Sequence, residues 1–393
     1  MEIEAYADRI GDGTGLAAEL ESAFGPAETV VIRELPGGNA NDTLLVEWDE
    51  SRYVVRIPPT ATPAPAMLAD VRREYAALET AAGTAVPAPE LLHRCRDASV
   101  VGDEFFVMEL LDGEVIEERV PDRFDSPAAR ERIVDETTDA LAALHDVPVP
   151  DAFADAPATS EASLGRELET FREQLAWAEE RTAEERRVHG LHDLADRLED
   201  RLPERPDDGE AGGRTSSDAS DGATAFVHGD YKPDNLMFAP GDEADLVGVL
   251  DWEMAGRGDP LADVGWLLSY WEQDGDPSIM TEEVRERYGD HDYFEMLRVF
   301  VEDYSGFTSH PDSPGRGHIV DRYEAATGRE YRHDEFYRAL GTLKLDVITE
   351  GFFRAHLEDS AAAKPTYPVM RMVPFVLAEQ GRQILDGEVP LRG

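Results

Sequence analysis

The chain has 393 residues, enough for two or three domains or lobes, and its 41% hydrophobic content is enough to build real cores. No run of about 18 apolar residues occurs, which leaves no candidate for a membrane span. A balance of 84 acids against 37 bases, net −47, argues against a nucleic-acid partner, because phosphates need a basic surface.

The acids are spread along the whole chain, and only three lysines occur: Lys232, Lys344 and Lys364. Such self-repulsion destabilises a compact state in dilute buffer. At about 1 M salt the Debye length falls to about 3 Å and the repulsion is screened. The economical reading is a protein of a very salty cytoplasm. No acidic block stands apart as a docking site for a basic partner. The acidic start, MEIEAYADRI, lacks the apolar core of a secretory signal. The single cysteine, Cys95, has no neighbouring Cys or His cluster and reads as an ordinary thiol rather than a zinc ligand.

In chain order, residues 12 to 25 read as a short helix. ETVVIREL, TLLVEWDE and RYVVRIPP read as strands, the first two separated by the turn-rich LPGGNAND and the third stopped by prolines. Leu68, Val71, Tyr75 and Leu78 give helical spacing between Ala66 and Ala82. EFFVMELLDGEVI reads as a buried strand running into a turn. The expectation is a smaller lobe over residues 1–111, a sheet with one helix, and a larger helical lobe over 112–393. In the second, ARERIVDETTDALAALHDV and the stretch from Leu164 to Arg201 read as amphipathic helices. Residues 203–225, rich in Gly, Ser and Asp, read as a disordered surface insertion. NLMFAP and DLVGVLDWE, joined by GDEA, read as a hairpin, and helical patterns fill the remainder.

Four separated pieces carry chemistry. The first is FVHGDYKPDNLMF, where Asp230 can accept a proton from a hydroxyl and Asn235, five residues on, offers an amide oxygen to magnesium. A turn whose polar side chains cap their own backbone is the plainer alternative. The second is Asp251, which the hairpin can return beside Asn235 as a further metal ligand; Glu253 is either a second ligand or a surface charge. The third is the Gly37-Gly38-Asn39 turn, whose backbone N–H groups could approach phosphates, or which is an ordinary hairpin turn. The fourth is Arg56, a strand cation that could hold phosphates, with Glu74 on the next helix to hold the cation, or else two surface charges.

HGDYKPDN followed by LDWE resembles the signature of the aminoglycoside phosphotransferase and choline kinase-like family, small-molecule relatives of protein kinases. GGNANDTLLV, YVVRIPP, REYAAL, VPAPELL and FFVMELLDGEVI resemble the subgroup whose domains also occur joined to acyl-CoA dehydrogenases. The resemblance implies a two-lobed, protein-kinase-like α+β fold, with a small antiparallel sheet lobe, a larger helical lobe, and ATP and Mg2+ between them. It implies Asp230 as catalytic base or orienter of the acceptor hydroxyl, Asn235 and Asp251 as magnesium ligands, and His228 as a brace of the loop. It also implies Glu109 and Leu110 as the hinge that meets adenine, and Lys232 as a phosphate contact. Arg56 stands where the family usually has lysine; it keeps the charge with a different geometry. The implied activity is transfer of the γ-phosphoryl group of ATP to a small hydroxylated metabolite, such as a hydroxyacyl thioester. An antibiotic-modifying kinase and a nucleotide-binding pseudokinase are the alternatives. Glu350, Phe353 and Arg354, in LKLDVITEGFFRAHLED, are candidates for the acceptor wall, or plain core and surface of a helix.

Overall fold

The computed structural model describes residues 2–4, 13–35, 42–58, 71–116, 120–203, 223–304, 308–358 and 367–392. The first part holds β1 (Glu2–Glu4), α1 (Thr14–Phe24), β2 (Val30–Glu34), β3 (Asp42–Trp48), β4 (Ser51–Ile57), α2 (Val71–Ala81), β5 (Leu91–Cys95) and β6 (Phe105–Glu109). Its strands form one sheet in the order β1-β2-β3-β4-β6-β5. All neighbours are antiparallel except β1, which runs parallel to β2. The sequence reading assigned neither β1 nor β5. β1 is three residues long, and the β5 segment LLHRC has no apolar alternation to announce it.

Strand alternation sorts β4 between two faces. Val55 and Ile57 join Leu16 and Leu20 of α1 in one apolar core. Arg56 points to the other face, where α2 lies and where it meets Glu74. On α2 the buried residues Val71, Glu74, Ala77, Leu78 and Ala81 recur at three- and four-residue spacing. Val71, Ala77, Leu78 and Ala81 belong to the core of the larger lobe, so α2 bridges the two.

The larger lobe holds β7 (Glu114–Val115), α3 (Pro127–His145), α4 (Ser160–Thr182), α5 (His189–Glu199), β8 (Ala225–Val227), β9 (Leu236–Phe238), β10 (Leu246–Val249) and β11 (Gly256–Gly258). Then follow α6 (Pro260–Ser269), α7 (Glu282–Tyr288), α8 (Phe294–Tyr304), α9 (Arg316–Thr327), α10 (Asp334–Glu358) and α11 (Val373–Leu385). None of the described helices is long and apolar enough to cross a membrane.

The predicted hairpin is present as β9 and β10, with β7 as its third strand. Three boundaries differ from the sequence reading. FFVMELLDGEVI divides between β6 in the large sheet and β7 in the small one. The stretch from Leu164 to Arg201 breaks into α4 and α5. Ala223 bridges Thr159 and Ala225 opens β8, so those residues are structured although the tract 203–225 was expected to be a loose insertion. A short apolar run, AFV, was overridden there by the polar composition before it. Residues 204–222 lie outside the described residues.

Candidate active site

The segment HGDYKPDN begins where β8 ends. β8 pairs with β11, so the stretch before the loop and the stretch after the hairpin are tied at their base. The sequence reading filled the chain after DLVGVLDWE with helical patterns; β11 intervenes because Gly256–Gly258 completes this ladder. Gly229 adopts φ 77°, and a Cβ there would lie 2.6 Å from the Met254 carbonyl oxygen, so only glycine fits the turn.

His228 is fully buried and works as a brace. Its Nδ1 accepts from the Asp230 amide at 3.2 Å, and its Nε2 donates to the Leu250 carbonyl at 3.0 Å. Burial holds the ring neutral by lowering its pKa. Below it, the buried Asp263 of α6 accepts from the amides of His228 (2.7 Å) and Gly229 (2.9 Å), and from His145 Nε2 (3.3 Å). Burial alone would raise the pKa of Asp263, but the bond and charge of His145, together with His228, hold it below the usual carboxylate range. A carboxylate with two backbone N–H donors thus fixes the loop from beneath.

Asp230 sits at the loop's tip, half-buried, with both oxygens engaged. Oδ1 accepts from Trp266 Nε1 at 3.1 Å and lies 3.6 Å from Lys344 Nζ. Oδ2 accepts from Asn235 Nδ2 at 3.0 Å and lies 3.6 Å from Lys232 Nζ. Burial pushes its pKa up, but Lys232, Lys344 and the Asn235 amide outweigh it, and the carboxyl is held below its ordinary value. The group is therefore ionised near neutral pH.

Asn235 and Asp251 meet at the open end of the hairpin. Asn235 immediately precedes β9, Asp251 follows Leu250 just beyond β10, and the Leu250 amide donates to the Asn235 carbonyl at 2.8 Å. Asp251 lies in the left-handed region, φ 62° and ψ 63°, a conformation aspartate tolerates better than most side chains. Asn235 Nδ2 is committed to Asp230, through both the side chain and the backbone oxygen at 2.8 Å, which leaves Oδ1 as its outward atom. An amide oxygen and a carboxylate suit magnesium, which takes oxygen ligands and retains waters and phosphate oxygens. Among the described residues no cluster of three or more His, Cys, Asp or Glu forms a self-contained metal cage. The pair therefore fits an ion shared with a phosphorylated ligand.

Arg56 joins the two lobes. Nε bonds Glu74 Oε2 at 3.1 Å, Nη1 donates to Thr43 Oγ1 at 2.6 Å, and Nη2 lies 3.4 Å from Asp251 and 3.8 Å from Glu253. Burial would lower its pKa, but the three carboxylates raise it above the ordinary value. Burial and the Asp251 charge push the Glu253 carboxyl well up. Arg73 of α2 adds a second link between the lobes, donating to the Ala255 carbonyl at 2.7 Å.

The structure thus groups Arg56 with Glu74 and Asp251, and Asp230 with Lys232 and Asn235, the two sets joined by the Leu250–Asn235 backbone bond. At the hinge position, the Glu109 amide is committed to the Glu90 carbonyl at 2.9 Å, and Leu110 follows the end of β6. Gly37, Gly38 and Asn39 lie outside the described residues. The candidate acceptor wall does not reach Asp230. Glu350 is buried against Arg186 (2.7 Å) and Thr182, Phe353 is core, and Arg354 stacks on Trp177. The sequence reading missed Asp263, Trp266 and Lys344 as members of the site. Asp263 left a signal, an acid inside the apolar run PLADVGWLLS. Lys344 left another, as one of three lysines, but it lies 115 residues from Gly229, whose carbonyl it bonds, and no local spacing connects them.

A model of the phosphotransferase enzyme family matches residues 31–298. Among curated proteins, the chain is 29% identical over 250 residues to acyl-CoA dehydrogenase family member 10 of Mus musculus, covering 63% of this chain and 21% of that protein. It is 24% identical over 385 residues to acyl-CoA dehydrogenase family member 11 of Homo sapiens, covering 97% of this chain and 42% of that one. The chain therefore spans less than half the length of these relatives. Among solved structures, a protein from Ralstonia eutropha, assigned only provisionally as an aminoglycoside phosphotransferase, superposes with TM-score 0.67 at 24% identity, covering 95% of this chain and 98% of its own. An aminoglycoside 2'-phosphotransferase in complex with GDP gives TM-score 0.53 at 16% identity over 96% of this chain and 99% of its own. At these identities the likeness establishes the fold, a two-lobed kinase-like architecture.

Proposed function

From the premise that the chain belongs to the phosphotransferase enzyme family, we propose that it is an ATP-dependent kinase that phosphorylates a hydroxyl of a small metabolite, with a hydroxyacyl thioester as the favoured acceptor class. The observation that carries the reading is the Asp230 carboxylate, ionised and held on both oxygens, beside the oxygen pair of Asn235 and Asp251. The names of the relatives, acyl-CoA dehydrogenases, support the acyl acceptor class.

The acceptor oxygen attacks the γ-phosphorus, the bond to the β–γ bridging oxygen breaks, and ADP leaves. The acceptor's proton passes to the Asp230 carboxylate. Asn235 Oδ1 and Asp251 would hold magnesium, which when bound neutralises charge on the phosphates. Lys232 and Arg56 supply cations on the chain's own side of the cleft, and the Glu109–Leu110 backbone would meet the base. Arg56 exchanges its long Asp251 contact for phosphate when nucleotide enters. Most of the catalysis is then positioning and preorganised charge.

A pseudokinase is the second reading, favoured by one observation: Glu74, Thr43 and Asp251 already occupy the donors of Arg56. The test is transfer of label from γ-labelled ATP in molar KCl with magnesium. The acceptors offered are hydroxyacyl thioesters, amino alcohols, sugars and aminoglycosides. Label on hydroxyacyl thioesters is expected. Label on aminoglycosides alone would overturn the acceptor class, and nucleotide binding with no label on any class would favour the pseudokinase.

A further inference from the structure

Lys344 has no role in the scheme above, yet it is among the most constrained residues in the larger lobe. It lies on α10, 3% exposed, and its Nζ donates to the Gly229 carbonyl, stands 3.6 Å from Asp230 Oδ1, and sits 4.4 Å from the centroid of the Trp266 ring. Burying an ammonium is costly unless it is paired and hydrogen-bonded. The chain otherwise uses arginine almost throughout for its bases, with three lysines among 37 basic residues. Two of those three flank the Asp230 carboxylate, one on each oxygen. A compact ammonium fits where a planar guanidinium fork does not.

The packing that delivers Lys344 is itself close. α10 crosses α6 where Gly341 faces Trp266 and Gly265 faces Tyr337. A Cβ on Gly265 would lie 2.5 Å from Tyr337 Cβ, and one on Gly341 would lie 3.1 Å from Trp266 Cα. This approach puts the Trp266 indole and the Lys344 amine, from two helices, on the same oxygen of Asp230. A cavity of about 50 Å3 behind them is lined by Glu167, Asp259, Asp263 and Lys344. Asp259 accepts from Tyr337 and Asp263 holds the loop, while burial pushes the Glu167 carboxyl up to about 7, with Lys344 partly offsetting it.

The two oxygens of Asp230 are therefore not equivalent. Oδ1 faces donors locked in the core, Trp266 and the 4%-exposed Lys344 side chain. Oδ2 faces Asn235 and the more accessible Lys232, 21% exposed, which can turn to a phosphate. We propose that Lys344 is a positioning residue of phosphoryl transfer: it pins the Gly229 carbonyl and Asp230 Oδ1, so that Oδ2 is the oxygen offered to the acceptor hydroxyl. The proposal rests on the kinase reading of the site.

The test compares wild type, Lys344→Met and a thialysine variant. The last is made from Lys344→Cys in a Cys95→Ala background, alkylated with bromoethylamine while unfolded and then refolded. Single-turnover transfer at saturating MgATP is expected to fall about 10²-fold in Lys344→Met, the scale of a misplaced reacting group, with unchanged nucleotide affinity, and to recover in the thialysine protein. The Trp266 indole N–H resonance, identified by its loss in Trp266→Phe, should shift in Lys344→Met and return with thialysine; this readout needs no turnover. Wild-type rates in Lys344→Met, an unmoved Trp266 resonance, or a folded thialysine protein no faster than Lys344→Met would each overturn the proposal. Absence of transfer in wild type would instead overturn the kinase reading, and the Trp266 resonance would still decide whether Lys344 positions Asp230.

Discussion

Removing the charge at Arg56 exposes how the two lobes are joined. Arg56→Met leaves Glu74, 2% exposed, facing Asp251 and Glu253 with no cation between them. Breaking a buried ion pair by deleting one partner costs about 3–5 kcal/mol. That is a large share of a stability of about 5–15 kcal/mol. Arg56→Lys keeps the charge but has one nitrogen where arginine uses three, on Glu74, Thr43 and Asp251. It should lose at least one charge-assisted bond, about 1.5–3 kcal/mol. Urea unfolding in molar KCl is the assay, because guanidinium would itself screen the carboxylates. The order of midpoints should be wild type, then Lys, then Met. The deficit of Arg56→Met should shrink as pH falls, since its stranded carboxylates take up protons. MgATP should bind the Met variant roughly 10- to 100-fold more weakly, the equivalent of one charge-assisted bond. Unfolding midpoints and nucleotide affinities equal to wild type would refute the reasoning and make Arg56 a bystander.

Asp263→Ala should cut turnover more than nucleotide affinity, because it frees the amides of His228 and Gly229 and lets Asp230 move; steady-state kinetics beside nucleotide titration would show the split. Asp346 of α10 is fully buried with both carboxyl oxygens unpartnered, and burial, reinforced by Glu350, pushes its pKa well above the ordinary value. The folded state therefore holds this proton more tightly than the unfolded chain does. Its contribution is fully present below about pH 4, the unfolded value, and is lost as pH rises toward the folded one. Asp346→Leu should accordingly raise stability by about 1–3 kcal/mol at neutral pH, with a gain that narrows in acid, measured by urea unfolding at several pH values. Unfolding midpoints should also climb with KCl up to molar concentration, as the charge of −47 is screened.

The sequence made the local chemistry of the site readable and left its long-range partners hidden. Asp230 and Asn235 share one loop, and Asp251 returns on the adjacent hairpin, so spacing alone could bring them together. Arg56 and Glu74 sit 18 residues apart on a strand and the next helix, and alternation against helical period could face them. Lys344 and Trp266 act across a helix crossing set by Gly265 and Gly341, and no pattern within either helix announces that crossing. Of the two readings of Glu350, acceptor wall or plain core of a helix, its burial against Arg186 favours the second. It occupies a helix that does reach the site, but Lys344 is the residue on the inward face there, whereas Glu350 turns to Arg186. β1 escaped notice because a three-residue strand depends on its neighbour β2, not on its own composition.

The most direct test of the central claim is the single-turnover rate of γ-phosphoryl transfer from MgATP to a labelled acceptor in molar KCl, for wild type and Asp230→Asn at equal nucleotide occupancy. Loss of a positioned base predicts a rate about 10²–10⁴-fold lower in Asp230→Asn with MgATP still bound. Equal rates in the two proteins would contradict the assignment of Asp230 as the group that receives the acceptor's proton.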